Sequence, residues 1–138
     1  LAGADAQKTA DPDKDGVTNL AEFGFNSNPN AGNAPGGPHD GGIKAVTGGD
    51  ALTLTVRMRT GAVFAGSEAL TATKDGVRYI IQGSTNLSTW TADIDEVTPA
   101  LTAGLPAPDA GWEYRTFRFA ASTATAGRAM IRGLAEQP

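Results

Sequence analysis

The sequence predicts a mainly β protein: a small antiparallel β-sandwich preceded by an acidic loop and one short helix. Apolar and polar residues alternate over much of the second half of the chain, which is the period-two pattern of half-buried strands. Clusters of Gly, Pro, Asn and Asp separate these stretches, as turns do. The 138 residues suffice for one ordinary domain and a short appendage.

Composition divides the chain into three parts. Residues 1–26 hold the acidic loop and the one segment with helical features, 17–25. Residues 27–49 are rich in Asn, Gly and Pro and contain almost no large apolar side chain, so a linker or an ordered irregular loop is expected. Residues 50–138 carry the alternating stretches and are expected to form the sandwich domain.

The clearest strand follows Ala51, where apolar and polar side chains alternate. The apolar set is Leu52, Leu54, Val56 and Met58, and the polar set is Thr53, Thr55, Arg57 and Arg59. Because successive side chains of a strand point to opposite faces, the two sets face opposite ways. We therefore expect a half-buried strand with the apolar set in the core.

Further strands complete the sandwich. Residues 77–83 follow the turn residues at 74–76, and residues 112–119 are enriched in Thr and aromatic side chains. The remaining predicted strands are 128–134 and two shorter ones, 69–73 and 94–98. This set of short strands favours a small antiparallel sandwich of the Ig-like or jelly-roll-like type.

The acidic loop carries a specific motif. Residues 11–22 read D-P-D-K-D-G-V-T-N-L-A-E and match every required position of the calcium loop D-x-[DN]-x-[DN]-G-x5-E. Calcium binds six to eight oxygen atoms, so a short loop has to wrap around the ion, and Gly16 allows the sharp turn. The expected ligands are the side chains of Asp11, Asp13, Asp15, Asn19 and Glu22 and the carbonyl oxygen of Val17.

Only half of an EF-hand is predicted. Residues 1–10 lack an apolar stripe at helical spacing, and Pro12 disfavours a helical conformation for Asp11. Without a paired hand to open, the ion is expected to be structural, with a dissociation constant of about 10⁻⁵ to 10⁻³ M. The alternative is a solvated acidic turn, but clustered carboxylates repel one another unless a cation neutralises them.

Composition and charge restrict the compartments and the partners that are expected for this protein. The chain has no Cys, which excludes disulfides and thiolate metal sites and leaves calcium as a stabiliser of a secreted or cell-surface protein. Its formal net charge is −4, or −2 once a doubly charged calcium ion is bound, so neither nucleic acid nor anionic lipid is an expected partner. No apolar stretch approaches the length of a membrane span, so membrane insertion is not expected.

Few other residues suggest chemistry. His39 is the single His, and it lacks obvious partners for a catalytic triad or a His-bearing metal cluster. Asp93, Asp95 and Glu96 suggest a second calcium site or a pair of glycosidase carboxylates. That segment has no glycine turn and no spaced partner, which favours a solvated loop. We therefore expect a protein that is not an enzyme.

Aromatic side chains offer an alternative function, a carbohydrate-binding surface. Trp112 and Tyr114 alternate with charged residues, so both rings lie on one face of their strand, opposite Phe117 and Phe119. A bulge that brings both sets inward would bury the rings, whereas exposed rings would form a platform for a sugar. Trp90 is expected in the core.

Two segments resemble a known family. Residues 11–23 read D-P-D-K-D-G-V-T-N-L-A-E-F, and residues 79–90 read Y-I-I-Q-G-S-T-N-L-S-T-W. Their order is similar to that in C-terminal modules of secreted Verrucomicrobia and Planctomycetes proteins, where a D-P-D-G-D-G segment precedes a β-domain with a Tyr-x-Val-Glu-x-Ser-x-Asp-Leu-x-x-Trp motif. Phe23 stands here for the usual Tyr, and Asn86 for the usual Asp. The calcium loop also resembles those of thrombospondin type 3 repeats and dockerins.

The motif, the composition and the resemblance together predict a non-catalytic, calcium-stabilised extracellular structural module. Unpaired sandwich edges accept strands from other chains, which favours a self-associating subunit of a secreted bacterial surface assembly or filament. The alternative is a carbohydrate-binding ancillary module of a secreted polysaccharide-degrading enzyme. In that case Trp112 and Tyr114 would contact the glycan.

Overall fold

The computed structural model describes residues 39–46, 49–121 and 128–138, together with residues 7 and 9. These residues form seven β-strands and no helix. The strands are β1 His39–Val46, β2 Gly49–Arg59, β3 Ala69–Lys74, β4 Val77–Ser84, β5 Ile94–Val97, β6 Trp112–Phe119 and β7 Met130–Glu136. The predicted calcium loop and the predicted helix 17–25 lie outside the described residues.

The strands form two antiparallel sheets. One sheet has four strands in the order β1-β2-β6-β5, and the other has three in the order β3-β4-β7. All pairs of neighbouring strands are antiparallel. The mainly β, sandwich-like fold that the period-two patterns predict is therefore confirmed.

The core lies between the two sheets. Strand β4 shows the pattern most clearly, because Val77, Tyr79 and Ile81 are each 0% exposed and alternate with half-buried residues. From the other sheet, Phe117 and Phe119 of β6 pack into the same cluster. Full burial of each such large side chain stabilises the fold by about 1.5–3 kcal/mol.

Strand β1 occupies part of the segment that was expected to be a linker or irregular loop. Residues 39–46 pair with β2 along their whole length, with Ile43 opposite Leu52 and Val46 opposite Gly49. Backbone hydrogen bonds define this edge strand, and they do not depend on side-chain alternation. Gly41 and Gly42 have no side chains, so alternation of apolar and polar residues could not identify this strand from the sequence.

The polar set of β2 was expected to face solvent, but most of it is buried. Thr53, Thr55 and Arg57 are buried, with exposures of 2%, 1% and 8%. The connection between β5 and β6 covers this outer face of the four-stranded sheet. The backbone N–H of Leu101 donates to Thr116 Oγ1 at 2.8 Å, and Thr116 Oγ1 hydrogen-bonds Thr55 Oγ1 at 2.7 Å. Both faces of β2 are therefore covered.

Strand β6 contains no bulge. Its pairing with β2 runs without interruption from Trp112 opposite Arg59 to Arg118 opposite Thr53. Tyr114 and Phe117 are both buried, yet they lie on opposite faces of the strand. The inner face packs in the core and the outer face lies under the β5–β6 connection, so no change of register is needed.

Candidate functional site

The predicted calcium ligands Asp11, Asp13, Asp15, Val17, Asn19 and Glu22 lie outside the described residues, and calcium binding there stays a prediction. Within residues 39–46, 49–121 and 128–138, no group of three or more His, Cys, Asp or Glu side chains is placed to hold a metal ion. His39 is the first residue of β1, and its backbone pairs with that of Val56.

The acidic residues 93–96 do not converge on a common point. Glu96 accepts a hydrogen bond from Arg115 Nη2 at 2.9 Å, while Arg115 Nη1 donates to Glu113 at 2.9 Å and to the carbonyl oxygen of Ala62 at 2.6 Å. The bonds to Glu96 raise the pKa of Arg115 further above its ordinary value. Glu96 thus joins β5 to β6, whereas Asp93 and Asp95 are exposed.

Trp112 and Tyr114 share the outer face of β6, as their spacing predicts, but they do not form an exposed pair of rings. Tyr114 is only 7% exposed, and its hydroxyl donates to the carbonyl oxygen of Pro106 at 2.6 Å. Trp112 is half-buried, and the guanidinium of Arg59 lies 4.8 Å from its ring centroid. Glycan binding by these two residues stays a prediction.

Trp90 lies outside the core cluster, contrary to expectation. The guanidinium of Arg132 lies 3.8 Å from its ring centroid, and Arg132 Nε donates to Gln82 Oε1 at 2.9 Å. Since Ile131 of the same strand packs against the core, Arg132 lies on the opposite, outer face of the three-stranded sheet. Trp90 therefore covers part of that outer face.

A cavity of about 610 Å³ opens between the two sheets, and we call it the inter-sheet pocket. Strands β1, β2 and β6 line it from one sheet, and the end of β4 and the start of β7 line it from the other. Its main lining residues are Ile43, Leu52, Leu87, Phe119, Arg128 and Met130. The walls are chiefly apolar.

Exposed apolar side chains gather at this pocket. Five large apolar residues of the described chain are exposed, and three of them line the pocket: Ile43 at 57%, Leu87 at 59% and Met130 at 45%. They belong to three different parts of the fold, namely β1, the segment after β4, and β7. This collection of exposed apolar side chains makes the inter-sheet pocket a candidate interaction site.

The loop that carries Leu87 is held by two polar side chains. Ser84 is 1% exposed, and its hydroxyl oxygen accepts the backbone N–H of Asn86 at 3.1 Å and of Leu87 at 2.8 Å. Asn86 Oδ1 accepts the backbone N–H groups of Ser88 and Thr89, each at 2.9 Å. Leu87 itself has a positive φ of 64°. The loop therefore fixes an exposed Leu in an unfavourable backbone conformation.

Sequence reasoning did not identify the inter-sheet pocket, although part of its signal lay in residues 79–90. Ser and Asn side chains that bond to nearby backbone N–H groups are common turn formers. The S-T-N-L run at 84–87 could thus have been recognised as a side-chain-capped turn. The partner strands β1 and β7 lie far away in sequence, so the pocket itself required the fold.

No protein-family model, no curated protein and no solved structure matches this chain. The resemblance to modules of secreted Verrucomicrobia and Planctomycetes proteins therefore rests on residues 11–23 and 79–90 alone. Among the described residues there is no helix long and apolar enough to cross a membrane.

Proposed function

We propose that this chain is a non-catalytic, calcium-stabilised extracellular module with a structural role, which associates with further copies of itself in a secreted surface assembly or filament. The observation that carries the proposal is the set of three exposed side chains, Ile43, Leu87 and Met130, around the inter-sheet pocket. A chain that stays monomeric gains no stability from such a surface, whereas a partner that covers it removes apolar area from water.

The conformation of Leu87 strengthens this argument. A left-handed backbone costs a residue other than Gly about 1–2 kcal/mol, and Leu has no polar side chain to compensate locally. Ser84 and Asn86 hold the loop in that form with their hydrogen bonds. The loop keeps an apolar side chain at the surface. This is better explained if Leu87 contacts a partner than if the loop is a solvated turn.

The sheet edges next to the pocket also favour association. Among the strands of the described residues, β1 is at an edge of the four-stranded sheet and β7 is at an edge of the three-stranded sheet. Both contribute residues to the inter-sheet pocket, Ile43 from β1 and Met130 from β7. Edge strands carry backbone groups that a further chain can pair with. A second chain could therefore make apolar contacts and pair with an edge strand at the same part of the surface, next to the inter-sheet pocket.

Calcium has a mechanical part in this proposal. The side chains of Asp11, Asp13, Asp15 and Glu22 repel one another unless a cation lies between them. A bound ion neutralises this repulsion and fixes the direction in which the N-terminal segment leaves the sandwich. We propose that the fixed segment then docks on a sandwich, and that removal of calcium releases it.

The contacts of Tyr114 and Glu96 do not favour the two other functions, carbohydrate binding and catalysis. Carbohydrate binding by Trp112 and Tyr114 requires accessible rings, and Tyr114 is buried with its hydroxyl bonded to Pro106. Catalysis by the acidic cluster would use Glu96, whose carboxylate is bonded to Arg115. We therefore retain the structural role as the proposal.

Sedimentation velocity tests the proposal. The wild-type chain is compared in about 5 mM calcium, above the expected affinity range, and in excess chelator. Glu22→Gln removes the predicted bidentate ligand, and Glu68→Gln removes one charge at an exposed position of the sandwich as the matched control. We expect calcium-dependent polymers for the wild type and Glu68→Gln, and monomers for Glu22→Gln. A wild-type chain that binds calcium but remains monomeric would overturn the proposal.

A further inference from the structure

We propose that the inter-sheet pocket receives the apolar face of segment 17–25 from a second copy of this chain, so that copies join head to tail. This inference rests on the proposed self-association and names the two surfaces that meet. The pocket is part of the described sandwich, and the segment is the helix that the sequence predicts directly after the calcium loop.

The chemistry of the pocket defines what it accepts. Its exposed wall is built from Ile43, Leu87 and Met130, and Leu52 and Phe119 form deeper parts. Among the described lining residues, Arg128 alone carries a charge. An occupant should therefore present several large apolar side chains next to a negative charge.

Segment 17–25 has this combination. It reads V-T-N-L-A-E-F-G-F, and in a helix Val17, Leu20 and Ala21 share one face at spacings of three and four residues. Phe23 lies three residues after Leu20 and extends that apolar face. An apolar helix face laid in a hydrophobic groove is a common mode of recognition between chains.

Charge complementarity supports the same pairing. Residues 11–22 carry four carboxylates and one Lys, which is a net charge of −3, or −1 with a doubly charged calcium ion bound. This acidic loop directly precedes and overlaps the apolar face, so it would approach the pocket together with it. Arg128, which is exposed at the pocket, supplies the opposite charge.

The size of the pocket and the length of the connection are compatible with this contact. A volume of about 610 Å³ lies within the range of about 300–1,000 Å³ typical of binding pockets, and it accommodates a few large side chains. Residues 26–38 connect the segment to β1, and at about 3.3 Å per residue they span up to about 43 Å. The segment thus reaches a neighbouring sandwich while it stays attached to its own.

The contact has a consequence for the form of the assembly. The pocket and the segment are different surfaces of the molecule, so each copy offers one donor and one acceptor. A contact of this heterologous kind produces a closed ring or an open filament, depending on the rotation between neighbours. A symmetric dimer, in which both copies use the same surface, is not expected.

Two complementary variants test the inference. Leu87→Asp places a charge at the pocket, and Asp tolerates the left-handed backbone at this position better than most residues. Phe23→Gln removes a large apolar side chain from the segment while it leaves the six predicted calcium ligands intact. Val63→Asp is the matched control, because Val63 is 80% exposed and is not among the lining residues of the pocket.

Each variant is examined in calcium by sedimentation velocity, alone and mixed in equal amounts. We expect Leu87→Asp and Phe23→Gln to assemble at least about tenfold more weakly than the wild type, since an unpaired charge or a lost apolar contact weakens binding. The mixture should form a one-to-one dimer and nothing larger, because it contains one intact segment and one intact pocket. Val63→Asp should assemble like the wild type.

Three outcomes would contradict the inference. Leu87→Asp that assembles like the wild type would show that copies join through another surface, so self-association would remain but would no longer rest on the inter-sheet pocket. Two monomeric variants whose mixture also remains monomeric would show that the segment docks on its own sandwich or elsewhere. A wild-type chain that is monomeric in calcium would remove the proposed function together with this inference.

Discussion

The hydroxyl oxygen of Ser84 accepts the backbone N–H of Leu87 at 2.8 Å, and this bond holds an exposed leucine at a φ of 64°. Ser84 is the last residue of β4 and is almost completely buried, whereas Leu87 is 59% exposed at the inter-sheet pocket. The position of a surface side chain is therefore fixed by a hydroxyl at the edge of the core. If copies associate through Leu87 as we propose, the Ser84 hydroxyl contributes both to stability and to association.

Ser84→Ala tests this coupling. The change leaves the backbone N–H groups of Asn86 and Leu87 without their acceptor, so we expect the free energy of unfolding to fall by about 1–3 kcal/mol. Urea denaturation measures the loss, with Ser88→Ala at an exposed position as the control. An unchanged denaturation midpoint for Ser84→Ala would mean that the hydroxyl does not hold the loop.

Leu87→Gly should separate stability from association. Gly adopts a positive φ without the steric cost that Leu has, so the free energy of unfolding should rise by up to about 1 kcal/mol. The same change removes an apolar side chain from the pocket, and calcium-dependent assembly should weaken. Denaturation and sedimentation of one preparation measure both effects. A variant that is less stable than the wild type would contradict the strain that we assign to Leu87.

The buried hydroxyl pair on the outer face of the four-stranded sheet provides a third prediction. Thr116→Val keeps the shape of the side chain but leaves the backbone N–H of Leu101 and the hydroxyl of Thr55 without this partner. We expect the free energy of unfolding to fall by about 1–3 kcal/mol. The double variant with Thr55→Val should lose less than the sum of the two single changes, since both replacements break the same bond. Additive losses in a double-mutant cycle would show that the two hydroxyls do not interact.

Tyr79 makes the fold sensitive to alkaline pH. Burial raises the pKa of Tyr79 above its ordinary value of 10.0, although its hydroxyl oxygen also accepts the backbone N–H of Arg59 at 3.1 Å. A raised pKa in the folded state means that the stability it contributes is fully present below about pH 10 and is lost as the pH rises through the folded-state pKa. Unfolding should therefore become easier above pH 10.

Tyr79→Phe checks the source of this sensitivity. The variant should be less stable near pH 7, because the N–H of Arg59 loses the Tyr79 hydroxyl as acceptor, but it should lose less stability than the wild type as the pH rises above about 10. Guanidinium denaturation at a series of pH values measures both slopes. Parallel curves for the two proteins would place the alkaline sensitivity elsewhere.

The strands that the sequence predicted well are those in which apolar and polar side chains alternate clearly. Strand β4 alternates Val77, Tyr79 and Ile81 with half-buried residues, and β6 places Phe117 and Phe119 on one face. Local alternation was enough for these strands, because the faces they bury are the faces with apolar side chains. Their approximate bounds also followed from the turn residues around them.

Other features depend on contacts between distant parts of the chain. The burial of Thr55 on the outer face of β2 requires the connection that places Leu101 on Thr116, and no pattern within β2 indicates that cover. The inter-sheet pocket likewise joins Ile43 of β1 to Met130 of β7. Such features follow from sheet order, which alternation alone does not specify. The calcium ligands remain a prediction from the motif.

The most direct test of the central claim is the particle size of the wild-type chain, measured by light scattering and electron microscopy with calcium and again after chelation. The account predicts ordered polymers in calcium that dissociate to monomers when the ion is removed. Monomers under both conditions, together with measurable calcium binding, would contradict it and would favour a module that is appended to another protein for glycan binding.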